Sequence, residues 1–249
     1  MVNEMIENNK PYYLKSLSLD DQFSRLDAWY KVDFLIDNHI LSREYVIENK
    51  EKFLDLLTTT DEIVKVHAWV LARRFADSGY IGKEDIERRK SNLIPYIKNG
   101  DLTAWWNALD LVNGGYLHST YLSPYKDVFI ESLKSENPGV VSDAWHMIPM
   151  LVKAGIIREI DYDDNKKYLF NVLKSSNQYI RLNAWETIID LGEKGILKKA
   201  DLLPFKDKTR ELIEGEDLIK LVSLFDTNPG EIHTHPRMLH KSVATVIMH

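Results

Sequence analysis

The sequence predicts an all-α fold, a right-handed superhelix of about six helical pairs. Three observations predict it. The dipeptide Ala-Trp recurs at Ala28, Ala68, Ala104, Ala144 and Ala184, with spacings of 40, 36, 40 and 40, and takes five of the six tryptophans. Eleven residues after each Ala stand His39, Gly79, Gly115, Gly155 and Gly195, each followed by two apolar residues. Seven residues before the Ala stand Asp21, Asp61, Asn137 and Asn177; the shortened third repeat has Ile97 there. A fixed period near 40 residues is the signature of a repeat architecture.

Each element follows from helix physics. Asp or Asn before an apolar-periodic run is an N-cap. In Asn137-Pro138 the proline takes the first helical position, where its missing N–H costs nothing. Gly at the far end suits a left-handed C′ residue, with the next apolar residue packing back on the last turn. From cap to this Gly, or to His39 in the first repeat, is 18 residues in four repeats, which predicts a helix of roughly 16 residues and about 25 Å. Offsets 0, +1, +4, +7 and +8 from the Ala are mostly apolar, as in Ala68, Trp69, Ala72, Phe75 and Ala76. That is one stripe of a 3.6-residue period.

A second helical segment follows each Ala-Trp helix, over residues 43–57, 84–98, 123–133, 163–173 and 203–213. Pro124 and Pro204, 80 residues apart, suit first helical turns. Residues 4–38 supply the first pair, interrupted by Pro11, and residues 214–226 close a sixth without the Ala-Trp signature. Terminal repeats are expected to be atypical. Residues 1–227 thus read as one repeat domain. Asn228-Pro229-Gly230 ends the helical pattern and opens a His-rich tail, 228–249, expected to cap the last repeat or to be flexible.

The composition narrows the function. Zero cysteines among 249 residues exclude disulfides, Cys-ligated zinc, iron–sulfur clusters and a thiol nucleophile. A net charge of -6 argues against a general nucleic-acid binder. Met1 to Lys10 has neither a basic n-region nor an apolar h-region, so no signal peptide is expected. No stretch approaches the roughly 18 apolar residues of a membrane span. The expectation is a cytoplasmic protein without a membrane partner.

The segment Ile180-Arg181-Leu182-Asn183-Ala184, followed by Leu191-Gly192, resembles the start of the second helix in HEAT/armadillo-type repeats. Val64-Lys65-Val66-His67-Ala68 matches with Lys for Arg, and Val140-Val141-Ser142-Asp143-Ala144 keeps the apolar residue and the Asn-Pro cap. The likeness is to the short HEAT-like form and covers about residues 1–227; the fixed Trp is a departure from the generic pattern. The resemblance implies an α-solenoid that works as a scaffold or adaptor, binding through a concave face lined by the second helices.

A helical wheel places offsets -1, +2, +6 and +9 opposite the buried stripe. Acids there are Asp27, Asp37, Asp77, Asp110, Asp143, Glu186, Asp190 and Glu193; bases are Arg74 and Lys153. Their balance of -6 equals the net charge of the whole chain. Tyr30, Phe34, Val70, Trp106, His146 and Met150 share the face. Aromatic anchors among acids fit a groove for a basic or amphipathic protein segment. The plainer reading is a solvated helix face. The candidate partner-binding set is Tyr30, Phe34, Asp27, Arg74, Trp106, Asp110, Asp143, His146, Met150, Glu186 and Asp190. Pro149 should kink its helix near Trp145.

Other chemistry is thin. His233, His235 and His240 in the tail form a loose set of possible ligands, and no metal or cofactor is assigned. HEAT-like alkylpurine DNA glycosylases use a concave Asp with aromatic neighbours, and Trp106 and Asp110, at i and i+4, are the nearest match. A DNA enzyme needs a basic track for phosphates, and this face is acidic. The hydroxylase-type His-Glu pair, phosphate loops and nucleophile motifs are absent. No catalytic residue is assigned. The expectation is a non-enzymatic monomer or weak dimer with a basic protein or peptide as partner.

Overall fold

The computed structural model describes residues 11–205, and every regular element among them is helical. Residues 206–226 of the sixth pair and the His-rich tail lie outside the described residues. The chain divides after Tyr125 into two compact units. In the first, the Ala-Trp helices are Gln22–Tyr30 continued by Val32–Asp37, then Glu62–Asp77, then Leu102–Asn113. In the second they are Pro138–His146 continued by Ile148–Lys153, then Gln178–Glu193.

The caps form where the pattern puts them. Asp21 accepts from the Ser24 N–H at 2.8 Å, Asp61 from Val64 at 3.0 Å, Asn137 from Gly139 at 2.9 Å and Asn177 from Tyr179 at 3.0 Å. The third repeat is capped after all. Asp101 accepts from Ala104 at 2.8 Å, and that helix begins at Leu102. It has 12 residues where the second and fifth have 16. The four missing residues are one helical turn removed at the N-terminus.

The far ends repeat as closely. Gly79, Gly115, Gly155 and Gly195 have φ between 69° and 78°. The Tyr80 N–H reaches back to Phe75 at 2.9 Å and the Gly79 N–H to Ala76 at 3.0 Å. This pair of bonds is the Schellman motif, which satisfies carbonyls a helix would otherwise leave open. The first repeat builds it with His39 at φ 59°, a left-handed conformation in a residue with a Cβ.

Two of the predicted 16-residue helices are interrupted. Pro149 has no N–H to offer the Trp145 carbonyl, and the helix breaks at Met147, as the sequence indicates. The break at Lys31 has no proline behind it; there the N–H tightens onto Ala28 at 3.1 Å. The intervening segments are more broken than their periodicity suggests. Residues 43–57 form Arg43–Glu48, Lys50–Leu54 and a 3-10 turn that begins at Leu56. Asn49 stops the first of these, its side chain donating to the Tyr45 carbonyl at 2.8 Å in competition with the backbone. Residues 84–98 break into Lys83–Arg89, Lys90–Leu93 and Ile94–Lys98, the last opening with Pro95 at its start.

Four of the tryptophans tie their Ala-Trp helix to the segment before it. The indole N–H of Trp29 donates to the Leu17 carbonyl at 3.1 Å, Trp69 to Leu57 at 3.1 Å, Trp105 to Ile97 at 3.1 Å and Trp145 to Leu133 at 3.3 Å. These four side chains are at most 1% exposed. Each therefore fills the core and donates to a carbonyl at the end of the preceding segment; the Ile97 carbonyl also accepts from the Gly100 N–H at 3.1 Å. Aromatic neighbours extend the packing. Trp29, Phe53 and Phe75 form a cluster with centroids 4.7 to 5.8 Å apart, and Trp145 meets Tyr162 edge-on at 6.0 Å.

A charged ladder joins successive segments. Asp85 accepts from the Gly82 N–H and from Lys50 Nζ, both at 2.8 Å. Asp161 does the same with Arg158 at 2.7 Å and Lys126 at 2.9 Å, and Asp201 with Lys198 at 2.7 Å and Lys166 at 2.9 Å. One carboxylate thus caps its own helix and pairs with a lysine 35 residues earlier. In the third repeat Tyr121 takes the Asp position, its hydroxyl donating to the Lys90 carbonyl while the Lys90 ammonium lies 5.7 Å from the ring centre.

Candidate functional site

The exposed side of the Ala-Trp helices carries the residues of interest. In the first unit, Gln22–Tyr30 packs on Glu62–Asp77, which packs on Leu102–Asn113. Tyr30, Val70 and Trp106 hold the same repeat offset and are 36%, 44% and 39% exposed; Phe34 is 63% exposed. The Tyr30 hydroxyl donates to the His67 carbonyl at 3.1 Å, bridging to the next helix.

The charges of this unit are more balanced than the wheel suggests. Asp27 pairs with Lys31 at 2.5 Å. Arg74 meets Asp33 at 3.0 Å and donates to the Tyr30 carbonyl at 3.3 Å. Arg73 lies outside the four wheel offsets, yet it pairs with Asp77 at 2.8 Å and stands 3.6 Å from Asp110. It also donates to the Asp110 main-chain carbonyl at 2.9 Å. Its i,i+4 spacing to Asp77 is the sequence signal that would have found it. Asp110 is half-buried. Loss of water raises its carboxyl pKa, Arg73 opposes the shift, and Asp77 adds to it.

In the second unit, Pro138–His146 packs on Gln178–Glu193. Asp143 keeps an exposed edge, but the surrounding helices strip enough water from its carboxyl to raise its pKa, against the pull of His146. Glu186 is half-buried and raised by desolvation, then by Asp190. His146 and Met150 are half-buried. Burial lowers the His146 pKa, with Asp190 pulling the other way. Asp190 is a correction to the wheel. It is 8% exposed and pairs with Lys194 at 2.8 Å, because this helix has neighbours on more than one side and Lys194 folds back one turn onto it. Its charge is not offered to a partner.

Two contrasting groups stand out among the shifted carboxylates. Four that cap helices are shifted down: Asp21 by the Ser24 hydrogen bonds and Asp161 first by the Lys126 hydrogen bond, with Asp85 and Asp201 beside them. In Asp85 and Asp201 desolvation is the largest influence, yet the pull of lysine and backbone N–H donors together outweighs it. Those on the exposed side, Asp110, Asp143 and Glu186, are shifted up by lost hydration, which Arg73 opposes at Asp110 and His146 at Asp143 without reversing it. The first group belongs to the architecture. The second is held in place against stability.

A separate half-open cleft of about 490 Å³ opens beside the shortened helix, lined by Glu62, Lys65, Pro95, Tyr96, Asn99, Gly100 and Asp101. No residue singled out in the sequence as a binding candidate lines it. Trp106 and Asp110 share one helix, as the glycosylase comparison requires, and Arg73 is the cation beside the carboxylate. Among the described residues no group of three His, Asp or Glu side chains is placed to hold a metal ion, and no helix is long and apolar enough to cross a membrane. The tail histidines lie outside the described residues. Neither a protein-family model nor a curated protein matches the chain.

Proposed function

We propose that the chain is a HEAT-like solenoid of about six helical pairs that acts as a non-enzymatic, cytoplasmic interaction scaffold. Its exposed Ala-Trp helix face takes a basic or amphipathic protein segment. The observation that carries this reading is the second group of carboxylates. Asp110, Asp143 and Glu186 are partly dehydrated, with pKa values raised by burial. Lost hydration that Arg73 at Asp110 and His146 at Asp143 only partly offset is a cost to the fold that a partner's lysine or arginine relieves. In the first unit, exposed Tyr30, Phe34, Val70 and Trp106 supply apolar contact, with Asp110 one turn beyond Trp106. The recurring caps, Schellman ends and Trp hydrogen bonds support a repeat array as the scaffold that presents this face.

The test is affinity capture from native lysate with the wild type and an Asp143→Lys/Glu186→Lys variant side by side, followed by mass spectrometry. A helical circular dichroism spectrum shared by both establishes that the variant folds. A basic protein retained by the wild type and lost by the variant is the expected outcome. An identical catch from both contradicts the acidic-face reading.

A further inference from the structure

The turn missing from the third repeat leaves a hole of its own size. One helical turn, about 5.4 Å long and 10–12 Å across, takes up roughly 420–610 Å³. The cleft beside Leu102–Asn113 measures about 490 Å³. One wall is the first turn of Glu62–Asp77, and the other is the end of Ile94–Lys98. That end closes tightly: Gly100, at φ 76°, donates to the Ile97 carbonyl at 3.1 Å, and the Asp101 N–H to the Tyr96 carbonyl at 3.0 Å. The chain turns back there instead of filling the space. The volume lies in the roughly 300–1,000 Å³ range of small-molecule sites.

Its walls carry polar groups that the fold leaves open. Glu62, Lys65, Tyr96 and Asn99 line the cleft, and none of these side chains makes a hydrogen bond or an ion pair among the described residues. Acid-x-x-Lys spacing closes into ion pairs at Glu87–Lys90, Glu131–Lys134 and Asp163–Lys166. Glu62 and Lys65 have the same spacing and stay apart. The Lys65 ammonium stands instead 5.6 Å from the centre of the Tyr96 ring, whose negative face draws it to the other wall. Asp101 is already committed, capping its helix through the Ala104 N–H at 2.8 Å. The cleft therefore holds an open carboxylate and an open ammonium, separated, with an amide and an aromatic ring beside them. A ligand of one sign is attracted by half of such a site and repelled by the other half. A zwitterion matches both.

We infer that this cleft binds a free α-amino acid, with the ligand's ammonium on Glu62, its carboxylate on Lys65 and its side chain against Tyr96 and Pro95. The site shares no residue with the protein-binding face and stands independently of that reading. The test screens the twenty free α-amino acids, each at about 10 mM, for a thermal shift of the full-length protein, then titrates those that act by calorimetry. At least one should bind with a Kd of about 1 mM or tighter. Its N-acetyl form lacks the ammonium and its amide form lacks the carboxylate, so each should bind at least about tenfold more weakly. Glu62→Gln and Lys65→Met should weaken the unmodified ligand by a similar factor. Glu62 is exposed and Lys65 half-buried, so both variants should keep the wild-type helical spectrum. The blocked ligands need no variant, so they decide the matter even where a variant does not fold. No binding by any of the twenty overturns the inference. So does binding that both blocked forms retain, or that both variants leave unchanged.

Discussion

The indole N–H of Trp105 donates to the Ile97 carbonyl at 3.1 Å across eight residues, where Trp29, Trp69 and Trp145 reach back across twelve. The shortened repeat lost one turn of helix between these two residues and kept the bond. What persists through the deletion is the contact, so the Trp is the fastening of each repeat rather than a bulky filler. Phenylalanine at Trp69 fills most of the volume but leaves the buried Leu57 carbonyl open. Trp69→Phe should cost about 2–4 kcal/mol in urea unfolding, combining an unsatisfied acceptor with a small cavity. A loss below about 1 kcal/mol would show that packing alone matters there.

Asp101 restarts the truncated helix from a position three residues before Ala104, where the sequence frame has no cap. If it substitutes fully for the lost Asp or Asn, Asp101→Ala should destabilise by about 1 kcal/mol, matching Asp61→Ala. Thermal melts of the two variants in parallel provide the comparison.

His39 holds φ 59° in a slot that the other four repeats fill with glycine. The conformation costs a residue with a Cβ roughly 1 kcal/mol. His39→Gly should therefore raise stability by up to about 1 kcal/mol, offset in part by glycine's greater freedom in the unfolded chain. A destabilised variant would mean that the imidazole contributes something the geometry does not display.

The two groups of carboxylates predict opposite responses to neutralisation. The folded pKa of Asp161 lies below its ordinary 3.8, held down first by Lys126, so its contribution to stability is present above 3.8 and is lost as pH falls through the folded value. Glu186 is raised above its ordinary 4.5 by desolvation, so the fold is relatively favoured below 4.5 and that advantage is lost as pH rises through the folded value. At pH 7, Asp161→Asn should destabilise and Glu186→Gln should stabilise, and the Glu186→Gln difference should vanish at pH 4. Melting temperatures at the two pH values give the signs directly.

Much of this architecture is written in the sequence because caps and left-handed C′ residues depend on single side chains at fixed offsets. Asp61, Asn177 and Gly195 are read correctly for that reason. The Trp hydrogen bonds were not legible, since nothing in Leu57 or Leu133 marks its carbonyl as an acceptor. Nor was the ladder, where Lys126 and Asp161 sit in different segments and acquire meaning only when these pack. The helical wheel was right about the exposure of Tyr30, Val70 and Trp106, which follows from helical phase. It failed at Asp190, where a wheel treats one side of a helix as solvent although Lys194 and neighbouring segments cover it. It also undercounted the cations, because Arg73 reaches the face from an offset the wheel excludes.

The most direct test of the central claim, that the exposed acids serve a cationic partner, is calorimetric titration of the basic protein identified by affinity capture into the wild type and Asp143→Lys/Glu186→Lys at low and high salt. The account predicts at least about a tenfold loss of affinity in the variant at low salt, and a wild-type affinity that falls as salt rises. Equal affinity for both proteins, independent of salt, would contradict it.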